Sequence, residues 1–188
     1  MVGMAIFIAI IGILQLVATF IKFGPFEITL ALAPIVVGAV MYGPRAGAVF
    51  GGAFGVVVLI ACIGGLGGGG TVLWLANPLL TAALCLLKGA LAGYAAGLTY
   101  SAASKINMYF GVVCAALVCP IVNTGIFIAA MALFYRDILI SWAGDTHLIY
   151  FAIIGLTGIN FLLEFGINIV LSPGILRIIN AVKAAKKA

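Results

Sequence analysis

Met108–Tyr135 reads MYFGVVCAALVCPIVNTGIFIAAMALFY, a stretch without a single Asp, Glu, Lys, Arg or His. Crossing a hydrocarbon core roughly 30 Å thick takes about 20 residues of helix, and this run exceeds that. The rest of the chain agrees with it. Of 188 residues, 66% are hydrophobic and only 7% are charged, too few polar side chains to clothe a soluble domain. The outer surface must therefore face lipid. Backbone groups in hydrocarbon have to pair within the protein, which leaves helices or closed barrels. Barrel strands alternate polar and apolar residues, whereas the apolar runs here are continuous. The fold class is an all-α integral membrane protein.

Working outward from that stretch, breaks divide residues 1–188, a single domain, into six spans. The first runs from about Met4 to Ile21; Met1 to Phe20 has no charged leader and reads as a retained helix, not a signal peptide. Gly24-Pro25 ends it, and a short second span follows from Ile28 to Tyr42. Gly43-Pro44-Arg45 turns the chain into a third span reaching Ile63, and the loop Gly64–Gly70 leads to a fourth from Thr71 to Tyr100. Met108–Tyr135 is the fifth, a polar loop covers Arg136 to His147, and the sixth runs from Leu148 to Leu171. Arg45, Lys105, Arg177, Lys183, Lys186 and Lys187 then fall on one side, with Lys22, Arg136 and the acids Glu27, Asp137 and Asp145 on the other. With six crossings the chain is a bundle of six transmembrane helices, and the positive-inside rule puts both termini in the cytoplasm. The same rule accounts for the net charge of +5, so no nucleic-acid partner is called for. Cys62, Cys85, Cys114 and Cys119 lie in or beside apolar runs without zinc-type spacing and read as packing thiols.

Small residues recur at every fourth position in three places: Ala5 and Ala9; Gly43, Gly47, Gly51 and Gly55; Gly89, Gly93 and Gly97. Each set makes a groove along one helix face where another helix can approach closely. Packing within the bundle suffices for Gly89–Gly97, while Ala5 and Ala9 face either the bundle or a partner. The Gly64–Gly70 run lacks the Gly-Lys-Ser/Thr ending of a phosphate loop and reads as a flexible outer loop able to cover a pocket.

Polar side chains inside hydrocarbon are costly and mark function by default. Thr157, Asn160, Glu164 and Asn168 share one face of the sixth span; Asn77, Thr81 and Lys88 share one face of the fourth; Asn123 and Thr124 follow Pro120 in the fifth. These stripes should point into the bundle. Counted from the outer ends, Lys88 and Glu164 reach similar depths, so an ion pair or shared polar network between them is expected. It either ties two helices together or serves a ligand; Lys88 snorkelling to the inner headgroups is a third reading. Asn77, Asn123 and Asn160, with Trp74 and Trp142 at the rim, suit a small polar solute, although amides also pair between helices and rim tryptophans also anchor at the interface. Catalytic chemistry finds no support: His147 is the only histidine, no metal-ligand set or cofactor motif is present, and no Gly-x-Ser-x-Gly elbow occurs.

Five segments together resemble the substrate-binding S components of energy-coupling factor (ECF) vitamin transporters. They are Phe23-Gly-Pro-Phe-Glu-Ile-Thr-Leu-Ala-Leu-Ala-Pro34, Val37-Gly-Ala-Val-Met-Tyr-Gly-Pro-Arg-Ala-Gly47, Leu87-Lys-Gly-Ala-Leu-Ala-Gly93, Pro120-Ile-Val-Asn-Thr-Gly-Ile-Phe127 and Asn160-Phe-Leu-Leu-Glu-Phe-Gly-Ile-Asn168. The similarity covers nearly the whole chain, and the joint order of the motifs carries it more than any one of them. The resemblance implies capture of a vitamin or related micronutrient on the outer side of a bacterial cytoplasmic membrane. It also implies a coupling membrane subunit, two cytoplasmic ATPases and toppling of the S component to release cargo. Ala5 and Ala9 match the family's Ala-x-x-x-Ala contact with the coupling subunit, and the family's pocket places Asn77, Asn123 and Asn160 near cargo. Independently, without a Walker motif in this sequence, ATP-driven uptake would need another chain. Pantothenate is weakly preferred over riboflavin, folate or a queuosine precursor if Lys88 faces the pocket; that preference lapses if Glu164 neutralises it. A stand-alone secondary transporter and a non-transporting membrane scaffold are the rival classes, and no convincing repeat between the halves supports the first.

Overall fold

Two glycine stripes meet at the centre of the fold. In the computed structural model, which describes residues 2–20, 22–23, 26–27, 29–156 and 158–185, α3 (Pro44–Ile63) and α5 (Pro78–Ala103) run antiparallel in backbone contact. A Cβ built on Gly47 would strike the Gly93 carbonyl, one on Gly51 the Gly89 carbonyl, and one on Gly55 the Cys85 carbonyl; Gly97 faces Pro44. The four-residue repeat keeps these bare positions on one face of each helix, so the axes close to a distance any side chain would forbid. The two stripes therefore serve each other.

Around this pair stand α1 (Val2–Ala18), α2 (Leu32–Tyr42), α6 (Met108–Phe134) and α9 (Gly158–Ala185). Ile11, Leu32, Ile35, Val36, Phe50, Val112 and Ala115 fill the space between α1, α2, α3, α5 and α6. A second apolar cluster, with Leu73, Leu84, Met131, Tyr135 and Leu139, joins α5 and α6 to the short helices α4 (Gly69–Ala76) and α7 (Arg136–Ala143). Large apolar residues such as Leu79, Leu133 and Val170 are left exposed over the outer faces, as a lipid-facing surface requires. The described charged side chains Arg45, Lys105, Arg136, Asp137, Asp145 and Arg177 are exposed, as is His147, and lie near helix ends or in turns. Lys88 and Glu164 are the exceptions.

α3, α5 and α6 are long and apolar enough to cross a bilayer, and the chain is a multi-pass membrane protein. α1, α2 and the Phe161–Val170 part of α9 are apolar but shorter. The 11 residues of α2 span about 16 Å, roughly half a hydrocarbon core. Several expected boundaries move. The fourth span is two helices, because Pro78 has no N–H to donate and Asn77 adopts an extended conformation that caps α5. The polar loop after Tyr135 forms α7. The sixth span opens with the short helix α8 (Leu148–Tyr150) and a π-helical stretch (Phe151–Leu156) before α9. Between α1 and α2, Lys22–Phe23 and Phe26–Glu27 pair as an antiparallel hairpin, with Lys22 opposite Glu27.

Candidate functional site

A cavity of about 90 Å³ lies between the two apolar clusters. One water needs only about 10–15 Å³ on this scale, so the space is many times larger than a hydration site. Its walls come from one end of the bundle. The C-terminal half of α3 contributes Phe54, Val58 and Cys62, and the first turns of α5 contribute Thr81, Leu84, Cys85 and Lys88. Asn123, Thr124 and Phe127 come from the C-terminal half of α6, and Phe161 and Glu164 from the start of α9. Gln15 on α1, Thr29 after the hairpin, Gly67 and Gly70 before or within α4, and Leu73 complete it. This end carries the hairpin, the glycine loop and α7, the features that the Lys/Arg count places outside.

Four residues expected from the sequence to serve a ligand thus meet in one space: Thr81, Lys88, Asn123 and Glu164. Their interactions differ from the simplest expectation. Glu164, 4% exposed, accepts the backbone N–H of Thr29 at 3.0 Å through Oε1. Lys88 places Nζ 5.3 Å from the centre of the Phe127 ring and 6.0 Å from that of Phe54, within reach of cation–π attraction. The two side chains line the same cavity, but no direct ion pair joins them. Glu164 bonds the Thr29 backbone and Lys88 sits over two rings, so no hydrogen bond among the described residues makes the expected network between them either. The depth count that paired them ran along a helix which the structure breaks at Pro78; from there Lys88 is only about 15 Å along α5.

Thr81 Oγ1 lies 2.9 Å from the Asn77 carbonyl oxygen, to which it donates, and 2.7 Å from the Tyr135 hydroxyl, which ties α5 to the end of α6. Asn168, also on the predicted stripe, is buried and donates from Nδ2 to the Glu164 carbonyl. The stripe on α9 therefore faces inward where its side chains are described. Asn77 is exposed and does not line the cavity: its Oδ1 accepts the Leu80 N–H at 3.1 Å, the work of a helix cap. Trp74 is half-buried on α4, away from the lining, and Trp142 packs against the second apolar cluster. The side chain of Asn160 and all of Thr157 lie outside the described residues. Ala5 and Ala9 are both exposed on α1, turned away from the bundle.

Sequence reasoning passed over Gln15. It is 2% exposed, lines the cavity, and its Oε1 has no hydrogen-bond partner; the Oδ1 of Asn123, 4% exposed, has none either. A buried acceptor left bare costs about 1–3 kcal/mol, a penalty that a bound solute with matching donors removes. The signal was available, since Gln15 is the one amide in the first span. Among the described residues no group of three or more His, Cys, Asp or Glu side chains is placed to hold a metal ion.

No curated protein matches the chain. A family model described as ECF transporter, substrate-specific component, matches residues 1–176. Because that match takes in every residue lining the cavity, the chain belongs to the family of ECF transporter substrate-specific components.

Proposed function

We propose that this chain captures a vitamin or related micronutrient from outside a bacterial cytoplasmic membrane and carries it inward as the substrate-binding subunit of an ATP-driven importer. A substrate-specific component binds and moves cargo, and is not an enzyme. The single observation that carries the reading is the cavity: polar groups from α1, α5, α6 and α9 converge in a protein whose other described charges sit at its rim. Cargo would rest among Thr81, Lys88, Asn123 and Glu164, with Gln15 as a further contact. With six crossings and both termini cytoplasmic, that cavity would open at the outer end. The short α2 and the hairpin would then lie near the cavity mouth.

Energy comes from elsewhere. A coupling membrane subunit would dock on the exposed face of α1 at Ala5 and Ala9, where small side chains permit close helix contact. Two cytoplasmic ATPases would drive the toppling that releases cargo. The test is reconstitution of the chain in liposomes with and without the coupling subunit and ATPases. Uptake of retained cargo should need all the subunits and ATP. Uptake by the chain alone would replace this reading with a secondary carrier, and no binding or uptake under any condition would leave a scaffold.

A further inference from the structure

The cavity lining holds two buried acceptors without partners and one ionisable group of each sign. Gln15 Oε1 and Asn123 Oδ1 are buried without partners, and Glu164 adds a carboxylate. Against these the lining sets one cation, Lys88, seated over the Phe127 and Phe54 rings. We infer that the cargo is a neutral or zwitterionic small molecule with an apolar or ring portion and at least two N–H or O–H donors, and that anionic cargoes are disfavoured.

Three observations lead there. An anionic cargo would bring its charge into a space that already holds Glu164 and two bare carbonyl oxygens, with Lys88 as the one cation in the described lining. Like charges brought together in a partly buried site repel far more than they would in water. Second, an unpaired buried acceptor is relieved by a donor and by nothing else, so a ligand with N–H or O–H groups at both amides gains what a carboxylate forfeits. Third, Phe54, Phe127 and Phe161 supply apolar ring surface beside the polar groups, which suits a cargo with one polar edge and one apolar face. Pantothenate and folate carry carboxylates and do not fit this description, so the weak preference for pantothenate does not survive the presence of Glu164 in the same space.

This inference rests on the cargo-capture reading, and the experiment separates the two. The full chain in nanodiscs is incubated with the methanol-soluble small-molecule fraction of a bacterial lysate, washed, and its retained compounds are identified by mass spectrometry, with exchangeable protons counted in D₂O. The expected result is a retained compound without net charge, with two or more exchangeable protons. Asn123→Leu should reduce its retention about tenfold, the value of one hydrogen bond of roughly 1.4 kcal/mol. Glu164→Gln keeps an oxygen for the Thr29 N–H and leaves the cavity with a net positive charge; it should shift the retained pool toward carboxylates by about tenfold. Lys88→Met should move the pool toward cations. A wild-type chain that retains a net anion overturns the inference and leaves capture standing. A Glu164→Gln variant that melts like wild type yet shows unchanged charge selectivity also overturns it. If nothing in the extract is retained, the capture reading fails and this one falls with it.

Discussion

Gly51 and Gly52 are neighbours on α3 with opposite expected responses to the same one-carbon addition. A Cβ on Gly51 would overlap the Gly89 carbonyl oxygen and sit 2.5 Å from the Gly89 carbonyl carbon and 3.0 Å from Ala90 N. Carbon atoms rest about 3.5–4.0 Å apart, so α3 and α5 must part by about 1 Å, and both neighbours are backbone atoms that cannot rotate away. Overpacking of this kind costs about 1–3 kcal/mol. A protein of this size loses roughly 2–4 °C of melting temperature per kcal/mol, so Gly51→Ala should melt about 4–8 °C lower for a cost near 2 kcal/mol. A Cβ on Gly52 meets nothing within 4 Å, and Gly52→Ala should gain about 0.5–1 kcal/mol through reduced unfolded-chain freedom. Buried Cys62, Cys85 and Cys119 make a fluorogenic thiol dye a direct reporter of unfolding in detergent. Parting α3 from α5 also widens the cavity both helices line, so cargo affinity should fall in the Gly51 variant alone. If both variants melt together, or Gly51→Ala melts above wild type, the account of this glycine contact is wrong.

Asn77→Ala should cost about 1 kcal/mol of stability by removing the cap of α5, while cargo affinity stays within twofold; a tenfold loss by equilibrium dialysis would return Asn77 to the binding site. Tyr135→Phe removes the hydroxyl that bridges to Thr81 and should lower stability by about 1 kcal/mol, seen as a melting shift of a few degrees. The pair Ala5→Leu and Ala9→Leu adds bulk to exposed positions; cargo binding and melting should be unchanged, whereas copurification with the coupling subunit and ATPases should be lost. Retention of the full complex by that double variant would move the docking surface away from this face.

The membrane class was legible because so few charges leave lipid as the only surface partner, and the glycine contact because a four-residue repeat has one face to offer. Thr81, Lys88, Asn123 and Glu164 could be found one span at a time, since a polar group inside an apolar helix has few reasons to be there. Their joint geometry could not. A hydrogen bond from the Thr29 backbone to Glu164 depends on where a chain segment passes, which side-chain periodicity does not encode. Asn77 stands outside the cavity lining for a readable reason: beside its place in a polar stripe it is the Asn-Pro signature of a capped helix start, both residues standing at the positions such a start favours. Gln15 escaped because it stood alone, outside any stripe. In this fold a solitary amide on a neighbouring helix completes the polar wall.

The central claim is that cargo sits among Gln15, Lys88, Asn123 and Glu164, and native mass spectrometry of the intact chain tests it most directly. Wild-type protein should carry one small molecule per chain, Asn123→Leu should lose most of it, and the rim variant Asn77→Ala should keep it. Equal occupancy in Asn123→Leu and wild type would place the cargo elsewhere and contradict the account.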